Sequence, residues 1–169
     1  APSAIQAPIN PSKPHALTSA EVQQTIADFV NCAKLAQYAG YDGVEIMGSE
    51  GYLLNQFLSR HVNQREDLWG GPIENRMRFL MQTYQAVRAA TSDNFIVSVK
   101  LNSADFQRGG ITEEEVITVF KAMDEVGIDM IEISGGTYEA PAMAGVKAEK
   151  RKASTVAREA YFLDFAEKI

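Results

Sequence analysis

Three stretches of this sequence combine proton-bearing side chains with glycine, which lets a backbone approach a ligand closely. The first is Met47-Gly48-Ser49-Glu50-Gly51-Tyr52. A tyrosine phenol has a reference pKa of about 10. It therefore keeps its proton at neutral pH and can give it to a developing carbanion. The plainer reading of Tyr52 is a loop tyrosine packed on a rim. The second stretch is Val99-Lys100-Leu101. A lysine ending an apolar strand needs a counter-charge. That is either an anionic ligand or a carboxylate such as Glu45 or Glu132, and a lone reactive lysine could also form a Schiff base. The third is Ser134-Gly135-Gly136-Thr137-Tyr138-Glu139, which suits a ligand contact or a tight turn equally well.

Other chemistries lack their residues. His15 and His61 are the two histidines, and neither sits at metal-type spacing. No H-x-x-x-H, C-x-x-C, G-x-S-x-G, G-x-G-x-x-G or Walker A string occurs, so no metal site is expected. The net charge of −6 offers no basic patch to neutralise phosphates, against nucleic acid and an acidic membrane surface as partners. There is no apolar run of about 18 residues. The single cysteine, Cys32, rules out an internal disulfide. It reads as a small buried apolar side chain and suits a reducing, cytoplasmic setting. A small-molecule substrate is expected, and homo-oligomerisation is compatible with the composition.

The elements that must position these stretches follow from punctuation and periodicity. Pro2, Pro8, Pro11 and Pro14 make residues 1–16 an extended loop. It has no initiating Met and reads as a segment of a longer chain, not a signal peptide. Thr18 and Glu21 form a capping box, followed by Val22, Ile26, Phe29, Ala33 and Ala36 at helical spacing and by Gly40 as a stop. Tyr41–Ile46 reads as a first strand, with a polar, glycine-bearing stretch running to Gly71. A second helix begins near Ile73 or Glu74, with Met77, Leu80, Tyr84 and Val87 on one face. Phe95–Leu101 is a second strand. Thr112 and Glu115 cap a third helix that ends at Gly127, and Asp129–Ser134 is a third strand. A fourth helix begins near Ser154, with Ala157, Tyr161, Phe162 and Phe165 inward. The run Asn63-Gln64-Arg65-Glu66-Asp67-Leu68-Trp69-Gly70-Gly71, followed by Glu74-Asn75-Arg76, reads as a loop stapled by ion pairs that holds the first chemical stretch over a pocket.

Alternating helices and strands predict a parallel α/β sheet. Ala39-Gly40-Tyr41-Asp42-Gly43-Val44-Glu45-Ile46 is echoed by Val126-Gly127-Ile128-Asp129-Met130-Ile131-Glu132-Ile133. Such repetition favours a (β/α)8 barrel, of which about three consecutive units would lie within residues 17–169. Active sites of such barrels lie at the C-terminal ends of the strands, where all three chemical stretches fall.

The runs GYDGVEIMGSEGYLLNQFLS, NQREDLWGG, ENRMRF, VSVKLNSADFQRGG and IEISGGTYE resemble the Old Yellow Enzyme family of NAD(P)H:flavin oxidoreductases and ene-reductases. The resemblance implies that residues 1–169 are part of an FMN-binding barrel. FMN would be reduced by NADH or NADPH and would then pass hydride to the β-carbon of an activated alkene. It implies Lys100 as a cation against the flavin and Tyr52 as proton donor to the α-carbon. It places Glu50 beside Tyr52 in catalysis, and Met47 and Tyr138 against substrate. Most members carry a histidine pair, or histidine and asparagine, where this chain has Met47 and Glu50. A thioether cannot donate a hydrogen bond, nor can an ionised carboxylate. The string M-G-S-E-G-Y is similar to the 2,4-dienoyl-CoA reductase branch, whereas the later runs look like the NADH oxidase and ene-reductase branch. The rival expectations are a non-catalytic barrel segment, motivated by the missing histidines, and a Schiff-base lysine enzyme. Residues for the flavin phosphate are expected from later strands than this chain holds.

Overall fold

The computed structural model describes residues 1–8, 10–138 and 161–169, with backbone alone for 161–164. The elements in chain order are α1 (Ser19–Tyr38), β1 (Gly43–Gly48), α2 (Leu53–Leu58), α3 (Ile73–Arg76), α4 (Arg78–Ala90), β2 (Ile96–Asn102), α5 (Glu113–Glu125), β3 (Met130–Ser134) and α6 (Tyr161–Lys168). The three strands are parallel and pair in sequence order, β1-β2-β3. Order without reversal is the progression of a barrel wall, whereas a doubly wound sheet reverses at a switch point.

The ladder register decides what each strand shows to either side. Ile46 pairs with Val99, and Val99 with Ile131. Those positions, with Val97 and Leu101, face the helices and join a core with Phe57, Phe79, Leu80, Tyr84, Val116, Phe120 and Met123. The opposite face presents Met47, Lys100 and Glu132 in one rung. Side-chain alternation along a strand enforces this division. Gly40 and Gly127 hold φ of +88° and +75° just after α1 and α5, so the echoed helix–glycine–strand units are equivalent in space.

Both capping boxes form. Thr18 N donates to Glu21 Oε2 at 2.7 Å and Glu21 N to Thr18 Oγ1 at 3.2 Å. The Thr18 main-chain hydrogen bond, then that of His15, hold the Glu21 carboxyl down to about 2.

Four expectations need correction. Cys32 is exposed, because it lies roughly a quarter turn off the buried stripe of Val22, Ile26 and Ala33. The polar stretch after β1 contains a helix, α2, whose Leu54, Phe57 and Leu58 are buried. Six residues are too few to form a stable helix alone, so packing and not propensity makes it. The second helix is divided at Met77 into α3 and α4. The Arg65 staple fastens the N-terminal segment rather than the first chemical stretch. Arg65 pairs with Asp67 at 2.6 Å and donates to the carbonyls of Pro2 and Leu17. Phe165 of α6 is buried against Phe120, as expected, whereas Ser154 and Ala157 lie outside the described residues.

Arg76 is the buried cation of this architecture, its side chain fully enclosed. Its guanidinium donates to the carbonyls of Gly71 and Leu58 and pairs with Glu115, which also caps α5. One planar fork thus joins three chain segments, which a lysine could not do. Arg76→Ala should lower the unfolding free energy of the holoprotein by about 3 kcal/mol or more, by leaving these acceptors buried. Arg60, 62% exposed on the same carboxylate, should cost under about 1 kcal/mol when truncated. Equal losses in denaturant titrations would contradict this assignment. For Glu21 the folded pKa lies below its ordinary 4.5, so its contribution is present above that pH and lost as pH falls towards about 2. Glu21→Gln should therefore melt lower than the parent at neutral pH, with the gap closing across that acid window.

Candidate active site

The chemical stretches converge at the C-terminal ends of the three strands. Lys100 Nζ lies 2.9 Å from Glu50 Oε1 and 3.1 Å from Glu132 Oε1. Of the two carboxylate partners expected for Lys100, Glu132 is found. Glu45 is replaced by Glu50, because β1 ends by turning Glu50 back over the sheet. The hydrogen bonds that Lys100 donates to Glu50 and then to Glu132 push its ammonium pKa up. Glu45 lies one rung below, and desolvation first, then the charge of Glu132, pushes its carboxyl up. The face therefore carries one ammonium among three carboxyl groups.

Glu50 has a conformation that few non-glycine residues adopt, φ +59°. Each polar part of it is engaged. Its N–H donates to Asn102 Oδ1 at 3.2 Å, and its carbonyl accepts from Tyr138 N at 3.0 Å. Its carboxylate accepts from Lys100 and from Ser134 Oγ. Gly51 follows at φ +86°, and a Cβ there would lie 2.7 Å from the Tyr138 ring. Only glycine allows that approach.

Tyr52 is the N-cap residue of α2 and is half exposed. Its ring centroid lies 6.4 Å from that of Tyr138, at a 48° tilt. Two phenols thus share the rim, in reach of favourable aromatic packing. Met47 is partly exposed on the Lys100 rung, and its sulfur accepts from Ser49 Oγ at 3.3 Å. The structure thus joins Lys100 with Glu50, and Tyr52 with Tyr138. Glu139 lies outside the described residues.

Sequence reasoning missed what anchors these loops. Asn55, Asn102 and Asp105 are each buried. Asp105 Oδ1 accepts from Asn55 Nδ2 at 3.1 Å and from Asn102 Nδ2 at 3.0 Å, and Oδ2 accepts from Ile111 N at 3.1 Å. Asn55 Oδ1 accepts from Gly51 N at 2.8 Å, and Asn102 Nδ2 donates to Gly136 O at 2.8 Å. The only available signal was three amide or carboxylate side chains at strand and helix ends, a pattern common to exposed loops. A cavity of about 90 Å³ lies behind the first loop, between Ser3, Gln56, Ser59 and Thr137. The hydroxyls of Ser59 and Thr137 are buried there without a protein partner.

Residues 1–165 match the model of the NADH:flavin oxidoreductase / NADH oxidase family. The chain belongs to that family. An NADH-dependent flavin oxidoreductase of Aspergillus parasiticus is 38% identical over 92% of this chain and 34% of its own length. An NADPH dehydrogenase of a Geobacillus strain is 39% identical over 80% of this chain and 39% of its own. A 2-naphthoyl-CoA reductase, solved in complex with 2-naphthoyl-CoA, superposes with a TM-score of 0.81 at 36% identity, over 92% of this chain and 24% of that one. The chain spans somewhat over a third of these curated relatives.

Membership confirms the barrel reading. The three parallel strands are part of a (β/α)8 barrel, and the family's flavin is FMN with NADH or NADPH as reductant. In donor chemistry the residues present suit a flavin, since Lys100 supplies a cation and Tyr52 and Tyr138 supply phenols after the strand ends. Among the described residues no cluster of histidine, cysteine and carboxylates could hold a metal. No helix there is long and apolar enough to cross a membrane.

The ion pair has a direct test. Glu50→Gln removes the first cause of the raised Lys100 pKa, so that pKa should fall. Nitrogen-15 NMR of the Lys100 ammonium against pH measures it, and an unmoved titration would mean the pair does not form.

Proposed function

We propose that this chain forms the flavin-edge and proton-donating part of an FMN-dependent, NAD(P)H-consuming enzyme that reduces an activated alkene, with Tyr52 as the proton donor. The observation carrying this reading is the placement of Tyr52 and Lys100 at the C-terminal ends of adjacent strands. FMN, when bound and reduced, supplies the hydride for the β-carbon of the alkene. The phenol of Tyr52 gives its proton to the α-carbon as negative charge develops there. Lys100 lends positive charge to the flavin edge. That charge is moderated by the carboxylates of Glu50 and Glu132.

Glu50 serves this chemistry by holding Lys100, since its carboxylate is already occupied by that ammonium and by Ser134. The pairing also answers the difficulty of a carboxylate beside a developing enolate, because Lys100 offsets its charge. Met47 cannot donate to a substrate carbonyl. Tyr138 can, and we assign it to substrate orientation from the rim it shares with Tyr52. The substrate class that suits this rim is an enoyl or dienoyl compound, including acyl thioesters of the kind seen in the naphthoyl-CoA reductase complex. An exposed, unpaired Cys32 suits a reducing compartment such as the cytoplasm.

Rapid-mixing kinetics on the holoprotein test the assignment. Tyr52→Phe should slow alkene reduction by about 100-fold or more, with flavin reduction by NAD(P)H nearly unchanged. Equal loss in both half-reactions would remove Tyr52 from the proton-donor role. A purified full-length protein without a flavin absorption band would overturn the whole reading.

A further inference from the structure

Glu50 cannot hold its left-handed backbone by intrinsic preference. A residue with a Cβ pays for that conformation, and its surroundings must determine it. The constraint on its N–H comes from one side chain. Asn102 ends β2 on the same face as Lys100, two residues along the strand, and is buried. Its carbonyl oxygen accepts from Glu50 N at 3.2 Å, which fixes the orientation of the amide. The amide nitrogen then donates to Gly136 O at 2.8 Å and to Asp105 Oδ1 at 3.0 Å. One side chain therefore ties the loop after β1 to the loop after β3, through a strand that carries the cation. Asp105 locks the arrangement from below, accepting from Asn102, Asn55 and Ile111 N.

We propose that Asn102 is the positioning residue of this site: by holding the main chain of Glu50 it places the Glu50 carboxylate on Lys100. Asn102 touches none of the reacting atoms and acts through Glu50. The role rests on hydrogen-bond polarity as well as shape. Asn102→Asp, nearly identical in volume, would put an oxygen where the amide nitrogen faces Gly136 O and Asp105 Oδ1. Released from Asn102, Glu50 keeps the bond from Tyr138 N to its carbonyl but loses the restraint on its N–H, so the left-handed backbone relaxes and its carboxylate moves off the ammonium. The effect on the flavin edge rests on the function proposed above, whereas the effect on Lys100 does not.

The experiment uses the FMN-loaded holoprotein and two readouts on Asn102→Ala, Glu50→Gln and the double variant. The first is the Lys100 ammonium titration by nitrogen-15 NMR. The carboxyl groups facing that ammonium are Glu50, Glu132 and Glu45. Asn102→Ala should lower the Lys100 pKa in the same direction as Glu50→Gln, and the double variant should shift it no further than Glu50→Gln alone. The second readout is the flavin midpoint potential, which should rise in all three variants as Lys100 loses a neutralising carboxylate. A Lys100 titration unmoved in Asn102→Ala, or shifts that add in the double variant, would overturn the positioning role. Lys100 shifts that obey the pattern with no change in potential would sustain the role of Asn102 and instead refute Lys100 as the flavin-edge cation. Should Asn102→Ala not accumulate as holoprotein, Asn102→Thr keeps much of the volume but cannot reach Glu50 N and Gly136 O together. The same two outcomes decide the matter there.

Discussion

The arrangement at the strand ends depends on a buried carboxylate that meets no cation among the described residues. Asp105 accepts three hydrogen bonds, all from neutral donors: the amides of Asn55 and Asn102 and the N–H of Ile111. In a low-dielectric setting a fully partnered polar group is rigid, and a half-partnered one is costly. Both asparagines spend their oxygens on the main chain of the first loop, at Glu50 and Gly51. The loops after β1 and β3, and the end of β2 between them, are consequently one polar unit. The site's charges hang from it. Replacing any one of its members would leave the others with unmatched donors or acceptors.

Charge on the sheet face is organised by the same geometry. Parallel register puts Met47, Lys100 and Glu132 in one rung, and the turn at Glu50 brings a second carboxylate over the same ammonium. The cation is therefore more basic than an isolated lysine, and its charge is offset.

Arg76 performs the equivalent task away from the site. It knits α3, the end of α2 and the start of α5 through one guanidinium. With the Arg65 staple on residues Pro2 and Leu17, it shows how irregular segments are pinned to a regular wall by planar, multidentate donors.

The amino-acid sequence by itself determined the alternation of helices and strands, both capping boxes and the glycine stops at Gly40 and Gly127. These are local, or follow from the period-two pattern of a strand, so neighbouring residues suffice to specify them. Tyr52 and Lys100 were legible as candidates because a barrel's chemistry lies at strand ends. Only the tertiary structure decided that Glu50 reaches Lys100, that α2 exists and that Asn55, Asn102 and Asp105 form one network. Those outcomes join residues some 50 positions apart in the chain. A short helix lives on burial, and an amide at a strand end is bland until its partners arrive. Long-range hydrogen bonds and packing supply the free energy for each, and no local pattern encodes them.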